Sequence, residues 1–371
     1  MIVTLPHLGP LWIAASQFFL YNDVPFAKPQ DNGQSALSEG SRVSPEEMCL
    51  PFKYMVGNLI AAHKLGADTA IMISTSGPCR LGEYGEMLKV VLDNAGVKYK
   101  WIVLESLGIA DLKKLFCEMK GEKINVKDGF KGLLGLLLSM VLIFDMDLFE
   151  RKVLKKSGYA AESDEPVRLL KNTKQRLQMA ESYRESFGII RAGKRAVKLL
   201  KVNKSTTPVK VYITGEIYTS IEAEANGHIE ELLMLLGCSV KRHIDISWWI
   251  IHSAKRKLIP EFIYRHIDKR RPVKNNVGGY GRESAHKINN NKWADGIIKI
   301  MPSGCMPEIV TKAYCEGVLG DDLNKNKNIL HLIYDEIRED AGYVTRVEAF
   351  VDMLERKKNV LAGNRYRIHK H

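Results

Sequence analysis

Apolar residues along this chain follow two patterns, and the two alternate. Short apolar runs recur at Met1–Pro6 (MIVTLP), Asp68–Ser74 (DTAIMIS), Tyr99–Glu105, Val209–Thr214, Ser239–Ile246, Gly296–Met301 (GIIKIM) and Leu330–Tyr334. Unbroken runs of this kind suit strands covered on both faces, as in a parallel sheet. Between them lie longer segments with apolar residues at helical spacing. The alternation predicts an α/β fold: two Rossmann-like parallel-sheet domains with a helical insert. Strand-like runs are missing from about residue 109 to 207, so the expected domains are 1–108, 109–207 (the insert or cap) and 208–371, the last closed by a C-terminal helix.

Turn and cap chemistry fills in the rest. Leu11–Leu20 reads as a helix, and Val24–Pro29 as a second strand stopped by its proline. Asp31–Glu39, polar with Gly33 inside it and Gly40 just after it, reads as a loop. Ser44-Pro45-Glu46-Glu47 is a helix start, although Pro51 shifts the main helix toward Phe52 and leaves Cys49 just ahead of it. Asn275–Ser284 (NNVGGYGRES) reads as a glycine-rich turn. Helices are expected at Pro307–Val318 and Thr345–Lys357, with a frayed tail after Arg356. Gly132–Phe144 (GLLGLLLSMVLIF) is almost wholly apolar but short of the roughly 20 residues a span needs, so it reads as a buried or packing helix rather than a membrane segment.

Charge sharpens the picture. The chain carries a formal +12, concentrated in Lys120–Lys204 (19 basic, 10 acidic) and Lys241–Lys299 (14 basic, 5 acidic). Such segments suit nucleic acid, an acidic protein or a phosphate-bearing ligand, but on helices they are more simply solvated faces, and nucleic-acid binding is not the expected role. No secretory leader precedes the first strand, so a cytoplasmic protein with reduced thiols is expected. The six cysteines, at 49, 79, 117, 238, 305 and 315, include no CxxC pair, which leaves zinc-ribbon and thioredoxin readings without support.

Three of these cysteines share one setting. Cys79 (GPCRLGEYG) and Cys305 (MPSGCMPE) each follow a buried strand and precede a helix, and Cys49 lies near a helix start. Ligands of open parallel sheets bind beyond the carboxyl ends of the strands. A helix N-terminus favours an anion, so a thiol there is expected to have a lowered pKa. Three thiolates brought together form a soft site suited to an iron–sulfur cluster, zinc or copper(I), with no fourth ligand in sight. Cys117, Cys238 and Cys315 have the apolar neighbours of structural thiols.

The motifs SPEEMCLPFKYMVGNL, GPCRLGEYG, ITGEIYT, GGYGRES, DGIIKIMPSGCMPE and TRVEAFVDML together resemble the D-component family of the 2-hydroxyacyl-CoA dehydratases. More narrowly, they resemble its stand-alone CoA-enzyme-activase-related proteins. The resemblance spans nearly the whole chain. It implies that Cys49, Cys79 and Cys305 hold a [4Fe–4S] cluster between two Rossmann-like domains. It also implies an ATP-dependent activator protein as electron donor, and an acyl-CoA thioester reduced to a ketyl radical that loses hydroxide. A related second subunit or a homodimer is implied as well. The chain departs from the dehydratases in being single and short, and the segment 109–205 has no counterpart among their substrate regions. The activator's own ATPase signatures are not visible. Two other readings stand beside this one: a non-catalytic scaffold or cluster-delivery module, and a double-cubane reductase of small molecules drawing on further cysteines.

Around the thiols, Arg80 and Tyr84 are candidates to hydrogen-bond a cluster sulfur or a bound ligand. Gly278, Gly279 and Gly281 are candidates for close backbone approach to a ligand. Glu216, at a strand end, reads as an acid–base group or as a cap on the next helix. Glu308 suits the dipole of the helix it opens.

Overall fold

The apolar runs build two parallel sheets. In the computed structural model the described residues are 1–74, 79–104, 109–121, 125–203, 205–259, 263, 277–317, 328–336 and 340–368. The first sheet has β1 (Val3–Thr4), β2 (Thr69–Ile73) and β3 (Lys100–Leu104) in that spatial order, with Val3 beside Thr69 and Thr69 beside Lys100. The second has β4 (Lys210–Gly215), β5 (Ser239–Arg242), β6 (Gly296–Pro302) and β7 (Asn328–Tyr334) in the order β5-β4-β6-β7. Every strand pair is parallel. The fold is therefore α/β with two Rossmann-like sheets and helical segments between them.

Val24–Pro29 does not become a strand. It makes one isolated bridge, Phe26 to Val3, through Val3 N–H to the Pro25 carbonyl (3.0 Å) and Ala27 N–H to the Val3 carbonyl (2.8 Å). Pro25 and Pro29 supply no N–H, so a ladder has nothing to continue on. The bridge still matters for topology. The chain leaves β1 on one side at Phe26 and returns on the other at β2. In the second sheet it leaves β4 for β5 on one side and returns for β6 on the other. Each sheet thus has a switch point, at β1/β2 and at β4/β6, where ligand crevices form.

The helices follow in order. In the first unit they are α1 (Leu11–Tyr21), α2 (Gln34–Val43), α3 (Leu50–Lys64) and α4 (Tyr84–Asn94). Next come α5 (Ile109–Lys120), α6 (Val126–Ser157), α7 (Asp164–Met179) and α8 (Tyr183–Leu199). The last group is α9 (Ile217–Ile221), α10 (Ile229–Leu235), α11 (Ile246–Leu258), α12 (Gly281–Asn290), α13 (Met306–Gly317) and α14 (Asp340–Ile368). α14 continues well past Arg356, where a frayed tail was expected.

α2 replaces the loop expected at Asp31–Glu39. Its composition is poor for a helix, with three serines and a glycine, but α3 holds it. The two axes cross at glycines. A Cβ on Gly40 would lie 1.8 Å from the Lys53 carbonyl oxygen, and one on Gly57 would lie 1.9 Å from that of Ala36. The glycine that suggested a loop is the crossing point.

α6 is the second correction. The apolar run at Gly132–Phe144 is the middle of a 32-residue helix whose side chain cap is Asn125, accepting from Asp128 N–H. Among the described residues it is the one helix long and apolar enough to cross a membrane. Its inner face packs on α1, α8, α11 and β5. That face carries Asp147 and Glu150 into a buried ionic network. Arg242 bonds Glu150 (2.8 Å) and Glu230 (3.0 Å), Lys174 bonds Glu150 (3.0 Å), and Arg151 makes a two-pronged contact with Asp245 (2.6 Å). Paired buried charges of this kind belong to a helix inside a protein rather than one facing lipid. The helix packs, as one of the two readings of its apolar run expected, but its outer face is open.

Candidate functional site

Three thiols stand at three helix starts, all beyond the carboxyl ends of strands. Cys49 is the residue preceding α3, and its carbonyl accepts the Phe52 N–H at 2.9 Å. Pro51 occupies the first turn, where a missing N–H costs nothing. Cys79 precedes a short 3-10 turn, Arg80–Glu83, that feeds α4. Cys305 follows β6 and opens α13, with its carbonyl accepting the Ile309 N–H at 2.9 Å. Residues 75–78, the loop before Cys79, lie outside the described residues.

The two sheets face each other here. A Cβ on Gly279 would touch Pro307 at 3.3 Å and the Cys79 sulfur at 4.0 Å, so the second unit's backbone reaches Cys79 through a residue that has no side chain. Gly278 and Gly279 both have positive φ, +82° and +49°, a conformation that favours glycine. Gly281 is different. Its missing side chain makes room for Thr311 and the Pro307 carbonyl, so it serves the packing of α12 on α13.

Electrostatics ties the three thiols together. Burial raises the Cys79 pKa, and nearby Glu216 and Cys49 add to it. Burial raises that of Cys305, with further contributions from Glu216, Glu308 and Cys79. Burial likewise raises that of Cys49, although the Tyr84 hydroxyl, hydrogen-bonded to its sulfur, pulls the other way. The lowered thiol pKa expected from the helix N-termini is therefore overturned. Desolvation beside a carboxylate outweighs a half-charge of helix dipole. Without a cation the three remain neutral thiols.

Glu216 is the acid they share. It follows β4 and caps α9, accepting from Tyr218 N–H (3.0 Å), Thr219 N–H (2.8 Å) and the Thr219 hydroxyl (2.8 Å). Its neighbour Gly215 has φ +147° and lies against β6, where a Cβ would be 1.8 Å from the Ile300 carbonyl oxygen. Arg80, by contrast, is exposed and donates to the Glu47 carbonyl at 2.6 Å, holding the Cys49 approach loop. Below Cys305, the buried Lys299 ammonium on β6 pairs with Glu308 at 2.7 Å and donates to its carbonyl, which pins the first turn of α13.

Several residues of this interface escaped the sequence reading. His7, directly after β1, is buried, and its Nδ1 lies 2.7 Å from Glu222 Oε2, at the far end of α9 from Glu216. Gly9 N–H donates to the same oxygen at 3.0 Å. Asn32 donates to the Tyr218 hydroxyl at 2.9 Å, and Tyr218 stacks on Tyr54 of α3. Lys53 of α3 pairs with Glu336 beyond β7. The only sequence signal was the place of His7 at a strand's carboxyl end. Its partner lies 215 positions away.

This pair yields a pH prediction. Burial disfavours the imidazolium, but Glu222, with Asp31 behind it, more than compensates, so the His7 pKa lies above its ordinary 6.5. Glu222 lies below its ordinary 4.5, because His7 and the Gly9 N–H overcome its burial. The His7 contribution to stability is full below pH 6.5 and fades as pH rises through the folded pKa. That of Glu222 holds above 4.5 and fades on acidification below it. His7→Gln is expected to cost about 2 kcal/mol near pH 6, and less at pH 9, in urea unfolding followed by circular dichroism. A loss independent of pH would contradict the charged pair.

The donor chemistry suits a sulfur-ligated metal group: one buried and two half-buried thiols in electrostatic reach of Glu216, with the Arg80 guanidinium acting on Cys49 and Cys79. Among the described residues no three His, Cys, Asp or Glu side chains stand at the spacing that holds a single ion. A cubane attaches each thiolate to a separate iron, so its ligands stand farther apart than those of one ion. Soft thiol donors of this kind suit an iron–sulfur cluster, zinc or copper(I). No protein-family model matches the chain, and no curated protein matches it either.

Proposed function

We propose that the chain is a cytoplasmic iron–sulfur protein of the 2-hydroxyacyl-CoA dehydratase type. In this reading it takes low-potential electrons from an ATP-dependent activator for reductive chemistry on a small acyl thioester. The observation that carries the reading is the meeting of Cys49, Cys79 and Cys305 at the facing carboxyl ends of two parallel sheets. A cluster held there would supply one-electron reduction at low potential. The chain's own residues set its surroundings. The Tyr84 hydroxyl donates to the Cys49 sulfur once that sulfur is a thiolate, drawing off charge. Glu216 keeps its oxygens on the α9 amides and holds a negative group beside the thiols. Burial raises its pKa, against the pull of the Tyr218 and Thr219 donors. Gly279 brings the backbone of the second unit close to the Cys79 sulfur.

Anaerobic purification, with iron and acid-labile sulfide assays and electron paramagnetic resonance after dithionite reduction, tests the reading. About four irons and four sulfides per chain with a reducible cubane signal are expected. About eight irons would move the assignment to a double cubane, and zinc alone or no metal would remove the electron-transfer role. A scaffold or delivery module predicts the cluster but no turnover of any acyl-CoA with activator and ATP supplied.

A further inference from the structure

The outer face of α6 has a pattern of its own. Val126, Phe130, Leu133, Leu137, Met140 and Phe144 are spaced 4-3-4-3-4, the alternation of a heptad seam. All but the half-buried Phe144 are exposed, from 91% at Val126 and 69% at Phe130 to 36% at Met140, and Val141 and Leu148 extend the stripe at 53% and 39%. At 1.5 Å per residue the stripe from Val126 to Leu148 is about 33 Å long. No charged residue lies between Lys131 and Asp145. A face spaced this way fits another helix with the same spacing, laid along it with knobs in holes.

From these observations we infer that this face pairs, antiparallel and across a twofold axis near Leu137, with α6 of a second copy of the chain. Charge selects the copy and its direction. Lys127 and Lys131 stand at one end of the stripe and Asp145 at the other. Lys131 and Asp145 also pair with Asp23 and Lys194 of their own chain, yet each side chain stays about a third exposed. An antiparallel pair sets Lys127 and Lys131 of each helix over Asp145 of the other, and the helix dipoles oppose favourably. A parallel pair would set lysine on lysine. A twofold axis needs one self-complementary patch, and this stripe is one. Seven large apolar side chains at these exposures remove on the order of 1,000 Å² over two copies, the threshold for a specific dimer. The inference does not depend on the thiol site.

Sedimentation velocity on the full chain tests it. Wild-type protein is expected to sediment as a dimer at micromolar concentration. Leu133→Glu with Leu137→Glu should weaken the dimer by on the order of 100-fold or more, leaving the circular dichroism spectrum unchanged. Leu137→Gln alone, milder and equally exposed, should weaken it to a lesser degree. Leu65→Glu, exposed just past the end of α3, is the control that should stay dimeric. A wild-type monomer, or a dimer indifferent to Leu133 and Leu137, overturns the proposal. A wild-type monomer that floats with phosphatidylglycerol vesicles, and no longer does so with Leu137→Glu, assigns the stripe to a lipid surface instead.

Discussion

Cys305→Ala protein, purified without oxygen, is expected to retain less than about a tenth of the wild-type iron, whereas Cys238→Ala should retain nearly all of it. The two residues occupy opposite edges of one parallel sheet. Cys305 lies beyond the carboxyl end of β6, in electrostatic reach of Cys79 and Glu216. Cys238 precedes the amino end of β5, fully buried, its sulfur facing the Leu236 carbonyl, and burial raises its pKa to about 12. Strand rise alone separates the two edges by roughly 20 Å. Cys315 offers no substitute, since it is packed with Ala285, Ile288 and Ile297 under α13. A cubane with two remaining protein thiolates is labile, so loss at Cys305 should be nearly complete. Loading must also displace three protons from thiols with raised pKa values, so iron uptake should be faster at pH 8.5 than at pH 7 in the wild type. Equal iron in the two variants would sink the ligand assignment.

The largest expected stability effect lies elsewhere. Arg242→Ala should cost about 3–5 kcal/mol in chemical denaturation, because it strands two carboxylates in the interior. The Arg242 and Glu150 side chains are each 4% exposed. Burial pushes the Glu150 pKa up, but Lys174 and Arg242 together hold it below its ordinary value. Glu230 has Arg242 as its close partner, and there burial prevails. Removing the guanidinium leaves Glu230 to be protonated and Glu150 to depend on Lys174. Arg168→Ala is the contrast. Its pairs with Glu162 and Asp164 are on the surface, where such bonds contribute under about 1 kcal/mol. Similar losses in the two variants would show that the buried network contributes nothing special.

What the sequence made legible was the backbone plan. DTAIMIS and GIIKIM became β2 and β6 because a doubly covered strand leaves an unbroken apolar run whatever its neighbours do. The settings of Cys79 and Cys305 were equally readable, since each depends on one strand end and one helix start. The misreadings share a physical cause, which is that the deciding partner lies far along the chain. QSALSEGSRV is a helix only because α3 carries Gly57 where Gly40 crosses it. Val24–Pro29 is strand-like in side chains and deficient in N–H groups. The neutral thiols were missed because the carboxylate that shares their pocket, Glu216, is more than a hundred residues from Cys79. His7 and Glu222 were invisible as a pair for the same reason. On α6 the apolar run was plain, but which side faced outward depended on α1, α8 and β5.

α6 also has a mechanical consequence. Its first half lies on α1, beside the first sheet, and its second half on β5 and α11, beside the second. One continuous helix is therefore a beam fixed to both lobes. A hinge that opened the thiol cleft would have to bend this beam or break the ion pairs at Glu150 and Arg151 that anchor it. Proteins that trap ligands between lobes usually have a supple connection at the back; here the back is stiff. Amide exchange should be slowest around Leu142–Leu154, in step with global unfolding. The two lobes should then hold a fixed separation at the thiols.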